Sequence, residues 1–258
     1  MRRLLAITLA FFIVPFTGAA LAQTEVATPL HLAGEQRMLS QRIAKLYSQI
    51  GLNVLPSLAT NQLRLASSRF DLNLAALKAG SAGSPAATRA YERLADEWLG
   101  LQKAVAAAVS RDAAEALARQ SEATLAAAEQ LTRLVEVPGK SDAGELVNLA
   151  DRQRMLSQRI ANNYLLRSWG VESPAVREIL ESSVKDFSAG LAKLGARQNN
   201  SEEIRRELEE IGQQWEWLQA SLAVEGASPY RLIVAESADA ILEATDRVTR
   251  LFEQQSRR

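Results

Sequence analysis

Cysteine is absent from the sequence, and histidine and aromatic residues are rare. Its 258 residues include no cysteine and one histidine, and aromatic residues make up 5%. Without cysteine there is no disulfide framework, no lipid-modified cysteine and no thiol nucleophile. His31 stands alone, and the matching position later in the chain holds Asn148, so a histidine-based metal site is not expected. The fold must therefore be stabilised by packing, and neither a metal nor another cofactor is predicted.

The sequence also lacks an excess of either charge sign and has no long hydrophobic run. The 30 basic and 30 acidic residues balance, which argues against nucleic acid or an anionic membrane surface as a partner. The one apolar run, Leu4 to Phe16, follows two arginines and precedes Ala-Leu-Ala at 20–22. It is shorter than the ~20 residues of a spanning helix, and the pattern is typical of a secretory signal peptide. We expect cleavage between Ala22 and Gln23 and a periplasmic product without a membrane span.

A repeated phrase divides the rest of the chain. The segment "GEQRMLSQRIA" at residues 34–44 returns as "DRQRMLSQRIA" at residues 151–161, with nine consecutive residues identical. The same offset of 117 residues aligns Phe70 with Phe187 and many other apolar positions. A tandem duplication is indicated. The predicted domains are a signal peptide at 1–22, a first copy at 23–137, a linker at 138–142 and a second copy at 143–258.

Each copy is predicted to form four amphipathic helices. Apolar residues recur at spacings of three and four, and no window shows the alternation of a strand. Trp98 and Trp215 fall within such apolar stripes, so we expect them in the cores and not on a ligand-stacking surface. Hydroxyl residues that precede a proline predict N-caps at Thr28, Ser84, Ser173 and Ser228. The predicted fold class is all-α, with two tandem four-helix bundles related by internal pseudo-twofold symmetry.

The first helix of each copy has two faces. One face is a stripe of large apolar residues that should pack into its own bundle: Leu32, Leu39, Ile43, Leu46 and Ile50. The opposite face holds Arg37 and Gln41 among Ala33, Ala44 and Ser48, and the second copy repeats it with Arg154 and Gln158. Small residues allow another helix to approach closely. If the two first helices pack on each other, Arg37 and Arg154 come together.

Two guanidinium groups that meet in this way repel each other. At an effective dielectric constant near 20, charges ~7 Å apart cost roughly 2 kcal/mol. No acid recurs on this face in both copies, since Gly34 is replaced by Asp151. A small anion between the arginines is therefore expected, because the planar guanidinium matches a planar oxyanion at two points. The predicted ligand-binding residues are Arg37, Arg154, Gly34, Ser40, Gln41, Ser157 and Gln158.

Arg42 and Arg159 form a second tier of candidates. They lie about 140° around the helix from the central arginines. Arginines on helices usually meet solvent or form surface ion pairs that contribute little to stability. We therefore expect these two residues to matter less for binding than Arg37 and Arg154.

At this phrase the sequence resembles a known family. "LAGEQRMLSQRIA" and "NLADRQRMLSQRIA" are similar to the PilJ-type domain, the N-terminal domain of the type IV pilus methyl-accepting chemotaxis transducer. More distantly, they resemble the periplasmic sensor domain of nitrate/nitrite sensor kinases. That resemblance implies four-helix bundles that pair through their first helices and bind nitrate between arginines, here Arg37 and Arg154. The chain departs from the family's pattern at His31, where asparagine is expected, and at Asp151, where glycine is expected.

The expected function is that of a periplasmic sensory or binding protein that captures a small anion, with nitrate or nitrite as the first candidates. Receptors of this type continue into a membrane helix and an output module, which are not found before Arg258. A membrane sensor, transporter or chemoreceptor is thus the expected partner. The alternative is a ligand-free helical interaction module in a type IV pilus or chemoreceptor assembly. An enzyme is not expected, because no histidine base, cysteine or recurrent carboxylate pair suggests a catalytic set.

Overall fold

The computed structural model describes residues 28–135, 142–171, 173–224 and 228–255. The predicted signal peptide and residues 138–141 of the predicted linker lie outside these ranges. Within them the chain forms eight α-helices and no strand, which confirms the all-α fold class. The helices are α1 (Pro29–Gly51), α2 (Pro56–Ser81), α3 (Pro85–Val105), α4 (Arg111–Val135), α5 (Asp142–Ser168), α6 (Pro174–Gly195), α7 (Glu202–Leu222) and α8 (Ser228–Gln255).

Hydroxyl caps start several helices, as the sequence indicates. The side chain of Thr28 accepts a hydrogen bond from the backbone N–H of His31, and Ser173 caps α6 in the same way. Ser84 precedes α3 but its side chain makes no cap hydrogen bond. The prediction for Ser228 is wrong, because that residue is already the first residue of α8. The cap at Ser201, which starts α7, lacks a following proline and was not predicted.

Each half of the chain packs as one bundle. In the first bundle α1 contacts α2 and α4, and α3 contacts α4 and the neighbouring part of α2; α5 to α8 repeat this arrangement. Trp98 and Trp215 lie in the cores, as predicted. Trp98 stacks on Phe70 with ring centroids 4.0 Å apart, and Trp215 packs on Phe187 at 4.4 Å. The Trp98 indole N–H also donates to Asp71 at 2.7 Å, so its polar end is satisfied.

The two bundles join where α1 packs on α5, a contact that we call the seam. Because α1 touches α2, α4 and α5, it is buried on nearly every side from Leu32 to Gln49. Matching hydrogen bonds show the pseudo-twofold relation. Gln41 Nε2 donates to the Ser121 carbonyl at 3.3 Å, and Gln158 Nε2 donates to the Ala238 carbonyl at 2.9 Å. Both donors and both acceptors are related by the 117-residue offset.

Close approach at the end of α1 depends on Gly51. The indole ring of Trp169, just beyond α5, occupies the space that a side chain at Gly51 would need. The same ring lies 6.4 Å from Tyr47, measured between centroids. The last turn of α1 can therefore meet the end of α5 only because residue 51 has no side chain.

Candidate functional site

Arg37 and Arg154 both lie at the seam and are almost fully buried, with exposed fractions of 6% and 5%. Arg37 reaches across to the second bundle, where its Nη2 donates to Asn148 Oδ1 at 3.2 Å. Arg154 instead contacts two carboxylates. Its Nη1 lies 3.0 Å from Asp151 Oδ1, and its Nη2 lies 3.0 Å from Asp246 Oδ1 on α8. The two matched arginines therefore have different surroundings.

Asp151 corrects the electrostatic argument from the sequence. We expected the negative charge between the arginines to come from outside the chain, but for Arg154 the Asp151 carboxylate supplies it. It is 3% exposed. A carbon atom added at Gly34 would lie 2.8 Å from Asp151 Oδ2 and 3.5 Å from Arg37 Nη2. One oxygen of Asp151 thus contacts Arg154 while the other lies against Gly34 of α1.

These carboxylates determine the charge state of Arg154. Burial lowers the pKa of its guanidinium, but the charges of Asp151 and Asp246 outweigh burial, so the pKa lies above its ordinary value. Asp246 also forms an ion pair with Arg250 of the next turn. Arg154 thus stays charged in a nearly dry environment, where ion pairs are stronger than in water.

His31 lies near the start of α1, as the sequence predicts. Its Nδ1 is 3.6 Å from Glu253 Oε1 on α8. The nearby Glu253 carboxylate raises the pKa of His31, and burial opposes the rise without cancelling it. Asn148 at the matching position of the second copy contacts Arg37. The two departures from the family's pattern, His31 and Asp151, therefore both lie on the Arg154 side of the seam.

A cavity of about 420 Å³ lies on the Arg37 side, and we call it the Arg37 cleft. It is lined from both bundles and holds four cationic and two acidic side chains, so its net charge is positive. Arg37 is the most buried of these charged groups. One rim residue, Arg152, is bound to Asp186 at 2.8 Å. The lining residues are Arg37, Glu129, Thr132, Arg133, Glu145, Asn148, Leu149, Arg152 and Lys193.

The other predicted ligand residues are engaged within their own helices and bundles. Ser40 Oγ donates to the carbonyl of Arg37 at 2.8 Å, and Ser157 Oγ donates to the carbonyl of Arg154 at 2.9 Å. Gln41 and Gln158 make the matched bonds to α4 and α8 described above. None of the four lines the Arg37 cleft. A ligand role for them stays a prediction.

We expected Arg42 and Arg159 to meet solvent or to form weak surface ion pairs; both are mostly buried and form ion pairs across the seam. Arg42 Nη1 is 3.2 Å from Asp239 on α8, and Arg159 Nε is 3.0 Å from Glu122 on α4. Each pair joins one bundle to the other. These acidic partners of Arg42 and Arg159 were not predicted from the sequence, although the same 117-residue offset aligns Glu122 with Asp239. A recurrent arginine together with a recurrent acid was the available signal.

Lys45 was not predicted at all and is the most buried cation at the seam. Its exposed fraction is 0%, and its Nζ lies 2.6 Å from Asp239 Oδ1. Desolvation lowers the pKa of the Lys45 ammonium, and the Asp239 carboxylate offsets only part of that effect. Burial raises the pKa of Asp239, but Lys45 and Arg42 outweigh it and hold that pKa below its ordinary value. The second copy has Asn162 in place of Lys45.

Metal-binding clusters and membrane-spanning helices would each bear on function. In the part of the chain that the structure describes, no three histidine, cysteine or acidic residues are grouped so that they could hold a metal ion. None of the described helices is long and apolar enough to cross a membrane.

Comparison with known proteins gives one result. The model of the family described as "Type IV pili methyl-accepting chemotaxis transducer N-term" matches the chain twice, over residues 22–124 and 140–251. No curated protein and no solved structure gave a match.

Proposed function

Since the chain belongs to this family of transducer N-terminal domains and contains the domain twice, we propose that it captures a small anion in the Arg37 cleft. The family is one of sensory modules of chemotaxis and pilus transducers, not of enzymes. Nitrate and nitrite are the first ligands to test. In this proposal the protein works in the periplasm, and a membrane sensor, transporter or chemoreceptor receives its ligand state.

The observation that supports the proposal is the position of Arg37. Its guanidinium is almost fully buried, yet it lines a cavity whose rim residues Arg133, Arg152 and Lys193 are cationic. A planar anion can accept two parallel hydrogen bonds from a guanidinium. The bond is stronger at the buried end of a cleft than in open water because the local dielectric constant is lower. The rim cations would raise the local anion concentration.

The cleft also suggests how binding could be transmitted. Its walls come from α1 and α4 of the first bundle and from α5 and α6 of the second. An anion in the cleft would contact both bundles at once. Any difference in its affinity for two arrangements of the seam would shift the balance between those arrangements. A partner that docks across both bundles would then detect the ligand.

Calorimetry on residues 23–258 tests the proposal, with nitrate and nitrite as titrants and chloride at equal ionic strength as the reference. Arg37→Ala should weaken binding at least tenfold, because a buried charged partner is lost. Arg64→Ala is the matched control, since Arg64 lies on the exposed side of α2. Equal affinity in wild type and Arg37→Ala would contradict the proposal.

A ligand-free interaction module is the second candidate. It is favoured by the ion pairs that already neutralise Arg154 and by the cross-bundle pairs of Arg42 and Arg159. In such a module the repeated phrase serves to pack α1 on α5. No oxyanion in a thermal-shift screen would then stabilise the wild-type protein beyond the effect of ionic strength.

A further inference from the structure

We infer that Asp151 is a built-in carboxylate ligand of Arg154, which takes up the anion-binding capacity of that guanidinium and excludes exchangeable anions from its side of the seam. The inference concerns how the chain determines which half of the seam can take a ligand. It does not require that the Arg37 cleft be occupied, so it can hold even if the proposed function fails.

The geometry places both oxygens of Asp151 at the seam. Oδ1 lies 3.0 Å from Arg154 Nη1. Oδ2 lies on the other side, against Gly34, where an added carbon atom would come within 2.8 Å of it and within 3.5 Å of Arg37 Nη2. The carboxylate therefore occupies the place beside the Arg154 guanidinium that a free planar oxyanion would take. It fits because Gly34, which faces it, has no side chain.

Charge makes the two halves of the seam unequal. On one side Arg154 contacts two carboxylates, those of Asp151 and Asp246, so a free anion brought to it would meet two negative charges at close range. On the other side Arg37 lines a cavity whose charged side chains carry a net positive charge. An anion is therefore repelled from Arg154 and attracted to Arg37.

A tethered carboxylate also has an entropic advantage over a free anion. Asp151 and Arg154 are three residues apart on α5, so one turn of helix holds them together before any ligand arrives. A free anion must lose its translational freedom to reach the same place. Millimolar nitrate should not displace such a partner from Arg154.

Removal of the carboxylate should create a site that free anions can fill. In Asp151→Ala the space between Arg154 and Gly34 loses its carboxylate and Arg154 keeps only Asp246, so the melting temperature at low ionic strength should fall. Formate, acetate or nitrate should then restore the melting temperature, because each is an oxyanion small enough to enter. The concentration for half-maximal rescue should be at least tenfold below that for any stabilisation of the wild type. Chloride at equal ionic strength should give less.

Three further variants make the result specific. Asp186→Ala removes an exposed carboxylate from Arg152, so it should show neither the loss nor the rescue. Asp151→Asn should lose stability without rescue, because the amide fills the space. Anions should not rescue the double variant Asp151→Ala with Arg154→Ala, because the guanidinium that would bind the anion is gone. If Asp151→Ala does not fold, formate or nitrate in the refolding buffer should restore folding to it and not to the double variant.

The inference is overturned if Asp151→Ala melts like the wild type, or if formate and nitrate stabilise Asp151→Ala and Asp186→Ala equally. The proposed function fails separately. If wild-type protein binds no nitrate but Asp151→Ala is rescued by it, the built-in ligand stands and the Arg37 cleft does not bind nitrate.

Discussion

Asp239 offers the sharpest test of how the two bundles are held together. Its carboxylate neutralises Lys45, which has no exposed surface, and also contacts Arg42. In Asp239→Ala, Arg42 can turn to solvent, but the Lys45 ammonium is left buried without its carboxylate. Breaking a buried ion pair by removing one partner costs roughly 3–5 kcal/mol of unfolding free energy. For a protein of this size that corresponds to a fall of roughly 6–20 °C in the melting temperature.

The duplication supplies the control. Glu122→Ala removes the matching acid of the other bundle, but its partner Arg159 is 21% exposed and can regain water. The expected loss there is about 1 kcal/mol or less. Urea unfolding followed by circular dichroism measures both variants. Equal small losses at the two positions would refute the reasoning, because they would mean that the burial of Lys45 has no energetic consequence.

Two refinements separate the charge from the packing. Adding Lys45→Met to Asp239→Ala removes the stranded ammonium and should recover most of the lost stability. The pKa of Lys45 is lowered in the folded protein, so the unfolded chain binds the extra proton and stability rises as pH approaches the unfolded lysine value, about 10.4. The loss of unfolding free energy in Asp239→Ala, relative to wild type, should therefore become smaller at high pH. The loss in Glu122→Ala should not change, because its partner is an arginine, which does not titrate in this pH range.

Three other predictions follow from the seam and the helices. Arg154→Ala should lower the unfolding free energy by roughly 3–5 kcal/mol, because it strands the buried Asp151 carboxylate; relief of arginine repulsion would predict the opposite sign in the same urea experiment. Gly51→Ala should cost roughly 1–3 kcal/mol by overpacking, whereas Gly212→Ala, which meets nothing within 4 Å, should gain roughly 0.5–1 kcal/mol in calorimetric melting. Because the pKa of His31 is raised in the folded protein, its protonation contributes stability that is fully present below the unfolded pKa, near 6.5, and is lost as pH rises through the folded pKa. Melting temperatures measured across this pH range should show the loss in wild type and not in His31→Asn.

Local signals in the sequence predicted the helices well. The spacing of apolar residues placed Trp98 and Trp215 in the cores, and the pairing of both first helices followed from their small-residue faces. Such patterns work because neighbouring positions on one helix report which side is buried. The repeat also located the two buried arginines, since the only long stretch of identity between the copies surrounds them.

Pairing between distant helices was much harder to predict. Lys45 and Asp239 are 194 residues apart, and a lone lysine in a helix is usually exposed. Asp151 was noticed as a departure from the repeat, but the rotamer that directs it to Arg154 and to Gly34 depends on how closely α1 and α5 approach. The sequence thus indicated which residues are unusual, while their charge partners depended on three-dimensional packing.

The covalent fusion of the two domains permits substitutions that a symmetric dimer of one shorter gene product would not tolerate. In a homodimer every mutation appears twice, so a change from glycine to aspartate at the seam would bring two carboxylates to it and leave no glycine opposite either one. In this chain one copy keeps Gly34 and the other holds Asp151. A single gene can thus evolve an asymmetric seam, in which one half is free to diversify while the other half preserves the contact between the bundles.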